Sequence, residues 1–327
     1  MPLAEVNTVD VDAAARTLAA GGLVAFPTET VYGLGARADD DAAVARIYAA
    51  KGRPADHPLI VHVLDEAGAR AFARDIPDVA LALMGAFWPG PVTVIVPRRP
   101  GVATACAGGQ DSIGLRCPAH PMARSLLQRA LALGVPGVAA PSANRFGRVS
   151  PTTAGHVHQE FGPGMAVLDG GACEAGIESA IVDCTRGRPV LLRPGTVERS
   201  ALEQACGQAV GDRDAAAPRA SGTLASHYAP MARVRLVAAQ DLAHAGPGHG
   251  QALALYSKAC PPQAERLGVL WRAMPSSPQA VAHELFAVLR ELDDRLAHRG
   301  GGEIWVEEPP QGPEWEGVRD RLSRAAA

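Results

Sequence analysis

Residues 26–35 read Phe26-Pro27-Thr28-Glu29-Thr30-Val31-Tyr32-Gly33-Leu34-Gly35, and this stretch decides the fold. The apolar run that leads into it predicts a buried strand, which ends at Pro27 because proline has no N–H to donate to a neighbouring strand. Hydroxyl and carboxylate side chains follow directly, at the strand end where open α/β sheets bind ligands. The two glycines then allow a sharp turn or a close approach to a ligand. The stretch therefore predicts a ligand site.

A short amphipathic helix follows, and it ends on two cations. Residues 39–41 supply an N-cap and the negative charge that a helix N-terminus favours, and apolar side chains recur at helical spacing up to Lys51. A lone lysine at a helix C-terminus is more often a solvated residue that complements the helix dipole. Here Arg53 follows two residues later, close to a strand end rich in hydroxyls. This pair suits a polyphosphate.

Polar side chains mark the ends of three further predicted strands. His62 lies in an apolar strand, and a lone histidine there is more often a hydrogen-bonded core residue than a ligand contact. Arg116 ends a second strand, where a guanidinium suits a carboxylate or a phosphate and a surface ion pair fits equally well. A third strand leads into Pro141-Ser142-Ala143-Asn144, whose polar side chains either bind a ligand or shape a turn.

The composition indicates a globular cytoplasmic protein. Of the 327 residues 47% are hydrophobic and 20% charged, and the length favours two domains. The formal net charge of −3 argues against bulk electrostatic binding of nucleic acid. The six cysteines show no metal-ligand spacing, which is typical of reduced thiols in the cytosol. The sequence predicts neither a signal peptide nor a membrane span.

The pattern of apolar runs predicts an α/β protein of two domains. Residues 1–204 alternate strands and helices and contain every candidate site described so far. Residues 205–230 are predicted as a linker. Its part at 221–230 is predicted as a lid over the site, because a passive spacer has no need of His227 and Tyr228; the alternative is that Tyr228 only packs at the domain boundary. Residues 231–327 predict a smaller α/β domain without a catalytic constellation.

Six motifs together resemble the YrdC-like family in its two-domain form, and the resemblance covers nearly the whole chain. They are Phe-Pro-Thr-Glu-Thr-Val-Tyr-Gly-Leu-Gly at 26–35, Lys-Gly-Arg-Pro at 51–54, Pro-Leu-Ile-Val-His at 58–62, Trp-Pro-Gly-Pro-Val-Thr at 88–93, Pro-Ser-Ala-Asn at 141–144 and His-Tyr-Ala-Pro at 227–230. Two positions depart from the commonest pattern: His57 stands where asparagine is frequent, and Ala180 where threonine is. The resemblance implies a twisted mixed-sheet domain followed by a smaller Rossmann-like α/β domain.

The resemblance also implies an activity. L-threonine, bicarbonate and ATP would give threonylcarbamoyl-AMP and pyrophosphate, a nucleotidyl transfer that supplies the precursor of threonylcarbamoyladenosine in tRNA. A threonylcarbamoyltransferase that modifies tRNA would act downstream, and neither a membrane nor a stable nucleic-acid complex is expected. Mg²⁺ would accompany the triphosphate, because the sequence offers no carboxylate cage of its own.

Site residues follow from the same resemblance, which assigns the catalytic role to Lys51 and Arg53. The side that binds threonine would consist of Thr30, His62, Arg116, Ala140 and Ser179, with Arg116 on the carboxylate. The side that binds ATP would consist of Lys51, Arg53, His57, Ser112, Ser142, Asn144, Ser150, Arg193 and Tyr228.

Two other functions compete with this one. An RNA-binding module would rely on clusters of Lys and Arg or on stacking aromatics, whereas this chain is slightly acidic and has 4% aromatic residues. A carbamoyl-transfer domain like those within hydrogenase-maturation proteins would carry zinc-finger-like cysteine pairs, which the sequence lacks.

Overall fold

A computed structural model describes residues 6–242 and 252–327 of the chain. Two compact units are present. The first comprises residues up to Phe146 and Ser150–Thr223, and the second comprises Gly147–Val149 and Leu224–Ala327. The segment predicted as a linker is thus divided between the two units at 223/224. The domain boundaries at 204 and 230 stay predictions.

The first unit is built on a mixed sheet of nine strands in the order β1-β2-β6-β3-β5-β4-β7-β8-β9. Three neighbouring pairs are parallel, β3 with β5, β4 with β7 and β8 with β9, and the others are antiparallel. Its elements are α1 (Val11–Ala19), β1 (Val24–Phe26), β2 (Gly33–Arg37), α2 (Asp41–Lys51), β3 (Ile60–His62), α3 (Glu66–Phe72), α4 (Asp78–Phe87), β4 (Val92–Pro97), β5 (Ser112–Arg116), α5 (Pro121–Ala132), β6 (Val138–Ala139), α6 (Ala154–Phe161), β7 (Ala180–Asp183), β8 (Val190–Arg193), α7 (Arg199–Cys206) and β9 (Gly211–Asp212). The prediction of a mixed-sheet α/β domain is confirmed.

The second unit has a parallel sheet of four strands in the order β10-β13-β11-β12. Its elements are β10 (Arg233–Val237), α8 (Ala239–Leu242), β11 (Ala252–Ser257), β12 (Leu270–Ala273), α9 (Pro278–Ala297), β13 (Gly302–Glu307) and α10 (Glu316–Ala325). The long helix α9 buries Val281, Leu285 and Leu292 along one face. This unit confirms the prediction of a smaller α/β domain.

The first unit has a hydrophobic core on each side of its sheet. Successive residues of β1 point in opposite directions, as the pleat of a strand requires. Ala25 joins the core that contains α2 and α4, whereas Val24 and Phe26 join the core that contains α1 and α5. The segment after Phe26 is therefore fixed from both sides and has little freedom to move.

The glycines after this segment do not form the turn that the sequence suggested. Gly33 and Gly35 lie within β2, which pairs antiparallel with β1. A Cβ on Gly35 would lie 2.9 Å from atoms of both Phe26 and Val138. Glycine is needed here because three strands pack closely, so its role is in the core and not in ligand contact.

Candidate functional site

The hydroxyl groups after β1 form a fixed network. The Oγ1 atom of Thr28 donates to the carbonyl of Val31 at 2.6 Å and accepts the N–H groups of Thr30 and Val31, each at 3.2 Å. The Oγ1 atoms of Thr28 and Thr30 lie 2.8 Å apart. Because the hydrogen of Thr28 is already used, Thr30 donates in that contact. The lone pairs of Thr30 Oγ1 remain to accept a hydrogen bond from a ligand.

A buried ion pair lies beside these hydroxyls. The Nη2 atom of Arg116 is 2.7 Å from Oε1 of Glu29, and both residues are less than a tenth exposed. The other carboxylate oxygen of Glu29 accepts the N–H of Ala119 at 3.0 Å, and Nε of Arg116 donates to the carbonyl of Gly90 at 3.3 Å. Each partner of the pair is therefore held by the backbone as well.

This pair sets the charge states around it. Burial alone would raise the pKa of Glu29, but the charge and hydrogen bonding of Arg116, with the N–H of Ala119, hold that pKa below its ordinary value. Burial, and after it the charge of Arg116, lower the pKa of His62 to about 3. At neutral pH the pocket therefore contains a carboxylate, a guanidinium and a neutral imidazole.

The sheet brings together three of the residues assigned to binding threonine, namely His62, Arg116 and Ala140. His62 and Arg116 are direct neighbours in the parallel pair β3–β5, so both lie at the same edge of the sheet. The ring of Phe26 makes an edge contact with His62, with centroids 5.9 Å apart. Ala140 follows β6 and donates its N–H to the carbonyl of Ile60 in β3 at 2.9 Å. Strand register thus explains how residues scattered along the chain share one edge.

Lys51 ties the end of α2 to the Ser142–Asn144 loop. Its Nζ atom donates to the carbonyl of Ser142 at 2.6 Å and to that of Asn144, and the residue is only 3% exposed. The helix ends there because Gly52 adopts a left-handed conformation with φ of 62°. Burial, and then the charge of Arg53, lower the pKa of Lys51 well below its ordinary value. Lysine is also rare here: Lys51 and Lys258 are the two lysines of the chain.

Arg53 lies next to this anchor and is also buried. It donates to the carbonyl of Pro58 at 2.8 Å, and its guanidinium lies 6.0 Å from the centre of the Phe146 ring. The same ring makes an edge contact with His57, with centroids 5.3 Å apart. Partial burial and the charge of Arg53 lower the pKa of His57, so a neutral imidazole accompanies the two cations.

Arg193 and Ser179 form a second link between a strand end and a loop. Arg193 donates to the carbonyl of Ser179 at 3.0 Å and to its hydroxyl at 3.2 Å, while Thr93 lies 2.8 Å from the same hydroxyl. Ser150 donates to Glu178, the residue before Ser179, at 2.5 Å. Ser179, which is assigned to binding the substrate threonine, is thus hydrogen-bonded to Arg193, which is assigned to binding ATP.

Ser221, in the segment before residue 224, contacts Arg53 and Arg193, the two arginines predicted to bind ATP. Arg193 donates to the carbonyl of Ser221 at 3.0 Å, and Arg53 lies 3.4 Å from its hydroxyl oxygen. Ser221 and Ser112 line the same cleft of the first unit. Gln110 holds the segment in place, because its amide accepts the N–H of Arg219 at 2.7 Å and donates to the carbonyl of Arg219 at 3.1 Å.

Tyr228 belongs to the second unit and is fully buried there. Its ring stacks on Phe286 with centroids 5.3 Å apart, and the guanidinium of Arg321 lies 5.4 Å from its centre. Its φ of 62° is unusual for a residue with a side chain. The assignment of Tyr228 to ATP stays a prediction.

Among the residues that the resemblance did not assign, Glu29, Glu178 and Ser221 each contact an assigned residue. The sequence does offer a sign that Glu29 takes part in the site: it lies between two threonines at a strand end, and a carboxylate that is buried there requires a cationic partner. Ser221 has none, because its partners are 28 and 168 residues away. In the described ranges no cluster of three or more His, Cys, Asp or Glu could hold a metal ion, and no helix is long and apolar enough to cross a membrane.

Two family models and a solved structure match this chain. A family model described as "Sua5_yciO_yrdC: Telomere recombination" matches residues 16–195, and one described as "Threonylcarbamoyl-AMP synthase, C-terminal domain" matches residues 197–327. The crystal structure of Pyrococcus abyssi Sua5 complexed with L-threonine is similar, with a TM-score of 0.84 and 32% sequence identity, over 99% of this chain and 98% of that one.

Two curated relatives are named threonylcarbamoyl-AMP synthase. The protein from Pyrococcus abyssi (strain GE5 / Orsay) is 44% identical over 230 residues, and that from Bacillus subtilis (strain 168) is 40% identical over 232 residues. The matched regions cover 68% and 69% of this chain and 66% of the length of each relative. The motif-based resemblance is thus supported by sequence and structure together.

Proposed function

The chain belongs to the Sua5–YciO–YrdC family, and we propose on this basis that it is an enzyme that makes threonylcarbamoyl-AMP and pyrophosphate from L-threonine, bicarbonate and ATP. One observation supports the proposal above the others. Two buried cations, Lys51 and Arg53, lie at a helix end that is bonded to the Ser142–Asn144 loop. Two neighbouring cations, both buried, suit a polyanionic substrate.

Threonine would bind at the edge formed by Thr30, His62 and Arg116. A guanidinium held by backbone contacts suits the carboxylate of an amino acid. The free lone pairs of Thr30 and the neutral imidazole of His62 suit its hydroxyl group. The relative that was solved with L-threonine is 32% identical and shares this fold. Ala140 and Ser179 would complete this side of the site.

ATP would bind on the side of Lys51 and Arg53. Ser112, Ser142, Asn144, Ser150 and Arg193 would add hydrogen bonds, and His57 and Tyr228 are proposed as further contacts to the nucleotide. Mg²⁺ is proposed to bind through the phosphates of the substrate, which is its usual mode of binding beside a nucleotide. When bound it would neutralise part of the triphosphate charge.

The reaction needs no protein nucleophile. The amine of threonine takes up bicarbonate or CO2 as a carbamate. A carbamate oxygen then bonds to the α-phosphorus of ATP as the bond from that phosphorus to the bridging oxygen of the β-phosphate breaks, so pyrophosphate leaves. The protein would contribute by holding the two substrates in line and by stabilising charge on the phosphates. This makes the proposed enzyme a nucleotidyltransferase.

The product would be passed on to a threonylcarbamoyltransferase that modifies tRNA. We propose that this takes place in the cytoplasm, where ATP and tRNA are present. The cysteines agree with such a reducing compartment, since all six are free thiols.

The decisive experiment is mass spectrometry of the product. The purified chain is incubated with L-threonine, bicarbonate, ATP and Mg²⁺ in the absence of RNA, and each substrate is left out in turn. We expect threonylcarbamoyl-AMP and pyrophosphate only in the complete mixture. Absence of the product with folded protein would contradict the proposal, and specific binding of RNA without any product would favour the RNA-binding alternative.

A further inference from the structure

Glu29 has no assigned role, yet it pairs with Arg116, the residue proposed to bind the carboxylate of threonine. Three buried polar atoms lie there: Oε1 of Glu29 and Nη2 of Arg116, which contact each other, and Nδ1 of His62, which has no hydrogen-bond partner among the described residues. The first two lie 2.7 Å apart as an ion pair. A folded protein rarely leaves a buried atom such as Nδ1 of His62 unsatisfied, because this costs about 1–3 kcal/mol. A buried ion pair beside an unpartnered imidazole nitrogen indicates a polar ligand.

The carboxylate of Glu29 is fixed in position and stays charged. Its Oε2 atom accepts the N–H of Ala119 at 3.0 Å, and its own carbonyl accepts the N–H of Ala175 at 2.7 Å. Arg116 is the charged residue that acts on Glu29 and holds its pKa below the ordinary value. The ion pair is thus a permanent dipole at the wall of the pocket.

Neighbouring ionisable groups add no charge to this dipole. His62 is neutral, since burial and Arg116 lower its pKa to about 3. Cys173 is a neutral thiol, because burial raises its pKa to about 12. One positive and one negative group therefore decide which charge pattern the pocket accepts.

We propose that Glu29 is a specificity determinant that reads the α-ammonium group of the substrate, so that with Arg116 it selects a zwitterionic amino acid over a simple anion. The inference rests on the proposed function. An unpaired Arg116 would attract any small anion, including bicarbonate and phosphate, which are abundant around this reaction. Glu29 cancels that attraction unless the ligand also carries a positive charge next to its carboxylate. An α-amino acid has this arrangement, and its dipole lies antiparallel to that of the ion pair.

Glu29 also has a consequence for the step that follows binding. When the ammonium form of threonine and bicarbonate give the carbamate, one water and one proton are released, and a positive group becomes a negative one. The attraction of Glu29 for the ammonium group thereby becomes repulsion of the carbamate. Repulsion would favour movement of the carbamate away from Glu29 and towards cations such as Lys51 and Arg53.

The test compares three ligands in calorimetric titrations with the wild-type chain and Glu29→Gln. L-threonine is a zwitterion, β-hydroxybutyrate keeps the carboxylate but lacks the amine, and L-threonine amide keeps the amine but lacks the carboxylate. Glutamine has the same shape as glutamate and still accepts the N–H of Ala119. We expect Glu29→Gln to bind L-threonine amide more weakly and β-hydroxybutyrate more tightly than the wild-type chain does. The ratio of these two affinities should change at least about 10-fold.

A purely structural role of Glu29 predicts a different pattern. If Glu29 only orients Arg116, the variant binds β-hydroxybutyrate more weakly and the amide unchanged, and this result would overturn the proposal. An unchanged ratio would overturn it as well. Should the variant fail to fold, the wild-type chain decides: it must bind threonine at least about 10-fold more tightly than β-hydroxybutyrate.

The outcome is separable from the proposed function. Wild-type protein that binds threonine with the expected charge selectivity but makes no threonylcarbamoyl-AMP would refute the function and leave the role of Glu29 intact. Product formation without the charge selectivity would refute the role of Glu29 alone.

Discussion

The ammonium group of Lys51 donates to the backbone carbonyl of Ser142 at 2.6 Å, across 91 residues of sequence. The Lys-x-Arg end of α2 and the Ser-x-Asn loop are thus one structural piece. A ligand that binds Lys51 competes with the carbonyls of Ser142 and Asn144 for hydrogen bonds from its ammonium group, so its binding depends on the position of the loop. Loss of the lysine would therefore affect both charge and shape at this place.

Lys51→Ala and Arg53→Ala are each expected to lower turnover by about 100-fold or more, because each removes a charge from the phosphates at the moment of transfer. Rates of threonylcarbamoyl-AMP formation at saturating substrates measure this. Lys258→Ala is the matched control, since Lys258 is partly exposed in the second unit and pairs with Glu307 at 3.5 Å. Near-normal rates in both site variants would show that the pair does not act on the triphosphate.

Lys51→Ala should also lower the free energy of unfolding, because Lys51 anchors the Ser142–Asn144 loop to α2. The substitution leaves the carbonyls of Ser142 and Asn144 without the donor that Lys51 provides, at about 1–3 kcal/mol each. Urea unfolding of the variant measures this, with Lys258→Ala again as the control. Equal midpoints for the two lysine variants would contradict the anchoring role.

Arg116→Lys should impair the use of threonine more than that of ATP. A lysine keeps the charge but cannot form the two parallel hydrogen bonds of a guanidinium with a carboxylate, nor reach Glu29 and Gly90 in the same way. Michaelis constants for both substrates are the measurement. We expect the constant for threonine to rise by about 10-fold or more and that for ATP to stay within about 3-fold. An unchanged constant for threonine would refute the assignment of Arg116.

The lowered pKa of His62 should make the free energy of unfolding fall as the pH falls. Its pKa falls from 6.5 to about 3 on folding, so between these values the unfolded chain binds a proton that the folded chain excludes. Its contribution to the free energy of unfolding therefore decreases as pH falls, by about 1.4 kcal/mol per pH unit. His62→Gln lacks this contribution.

The stability deficit of His62→Gln, measured in urea at pH 7.5, 6.0 and 5.0, should thus shrink towards acidic pH. Other titrating groups contribute to both proteins and cancel in the difference. A deficit that is the same at all three values would show that His62 takes up a proton in the folded protein.

Tyr228→Phe separates the role of the hydroxyl from that of the buried ring. Phenylalanine keeps the stacking on Phe286, whereas Tyr228→Ala would leave a cavity that costs about 3–5 kcal/mol. If residues 221–230 are a lid and Tyr228 contacts the nucleotide, Tyr228→Phe raises the Michaelis constant for ATP and leaves the unfolding midpoint in place.

The proposed lid would also protect the reactive anhydride from water. The ratio of threonylcarbamoyl-AMP to pyrophosphate should therefore fall in the Tyr228 variants, with free AMP as the other product. The lid proposal fails if the variants keep the wild-type ratio of threonylcarbamoyl-AMP to pyrophosphate and if threonine and ATP leave the protease sensitivity of residues 205–230 unchanged. The segment would then be only a linker.

The sequence predicted the parts of the site that follow from strand ends. Proline after an apolar run indicated that β1 and β6 end just before Thr28–Thr30 and Ser142–Asn144, because a strand cannot continue without its N–H groups. The sequence did not predict β2, since glycines at 33 and 35 are typical of turns and their true reason is the packing of Phe26 and Val138. Local propensity could not show this contact.

Contacts that use backbone carbonyls were also beyond prediction. Lys51 binds the carbonyls of Ser142 and Asn144, and every residue has a carbonyl, so no sequence pattern marks these two. Ser221 is a similar case, because Arg193 binds its carbonyl. Glu29 was within reach, since it stands between two threonines of the quoted stretch, but its partner Arg116 was not identifiable without strand register.

The burial of Lys51 has a practical consequence for chemical labelling. Lys258 is the one other lysine, and it is partly exposed. An amine-reactive dye should therefore modify the side chain of Lys258 in the folded protein faster than that of Lys51, and Lys258→Arg should leave Lys51 as the only side-chain target. Slow modification of that target would then record how often the pocket around α2 opens, without any label placed in the site itself.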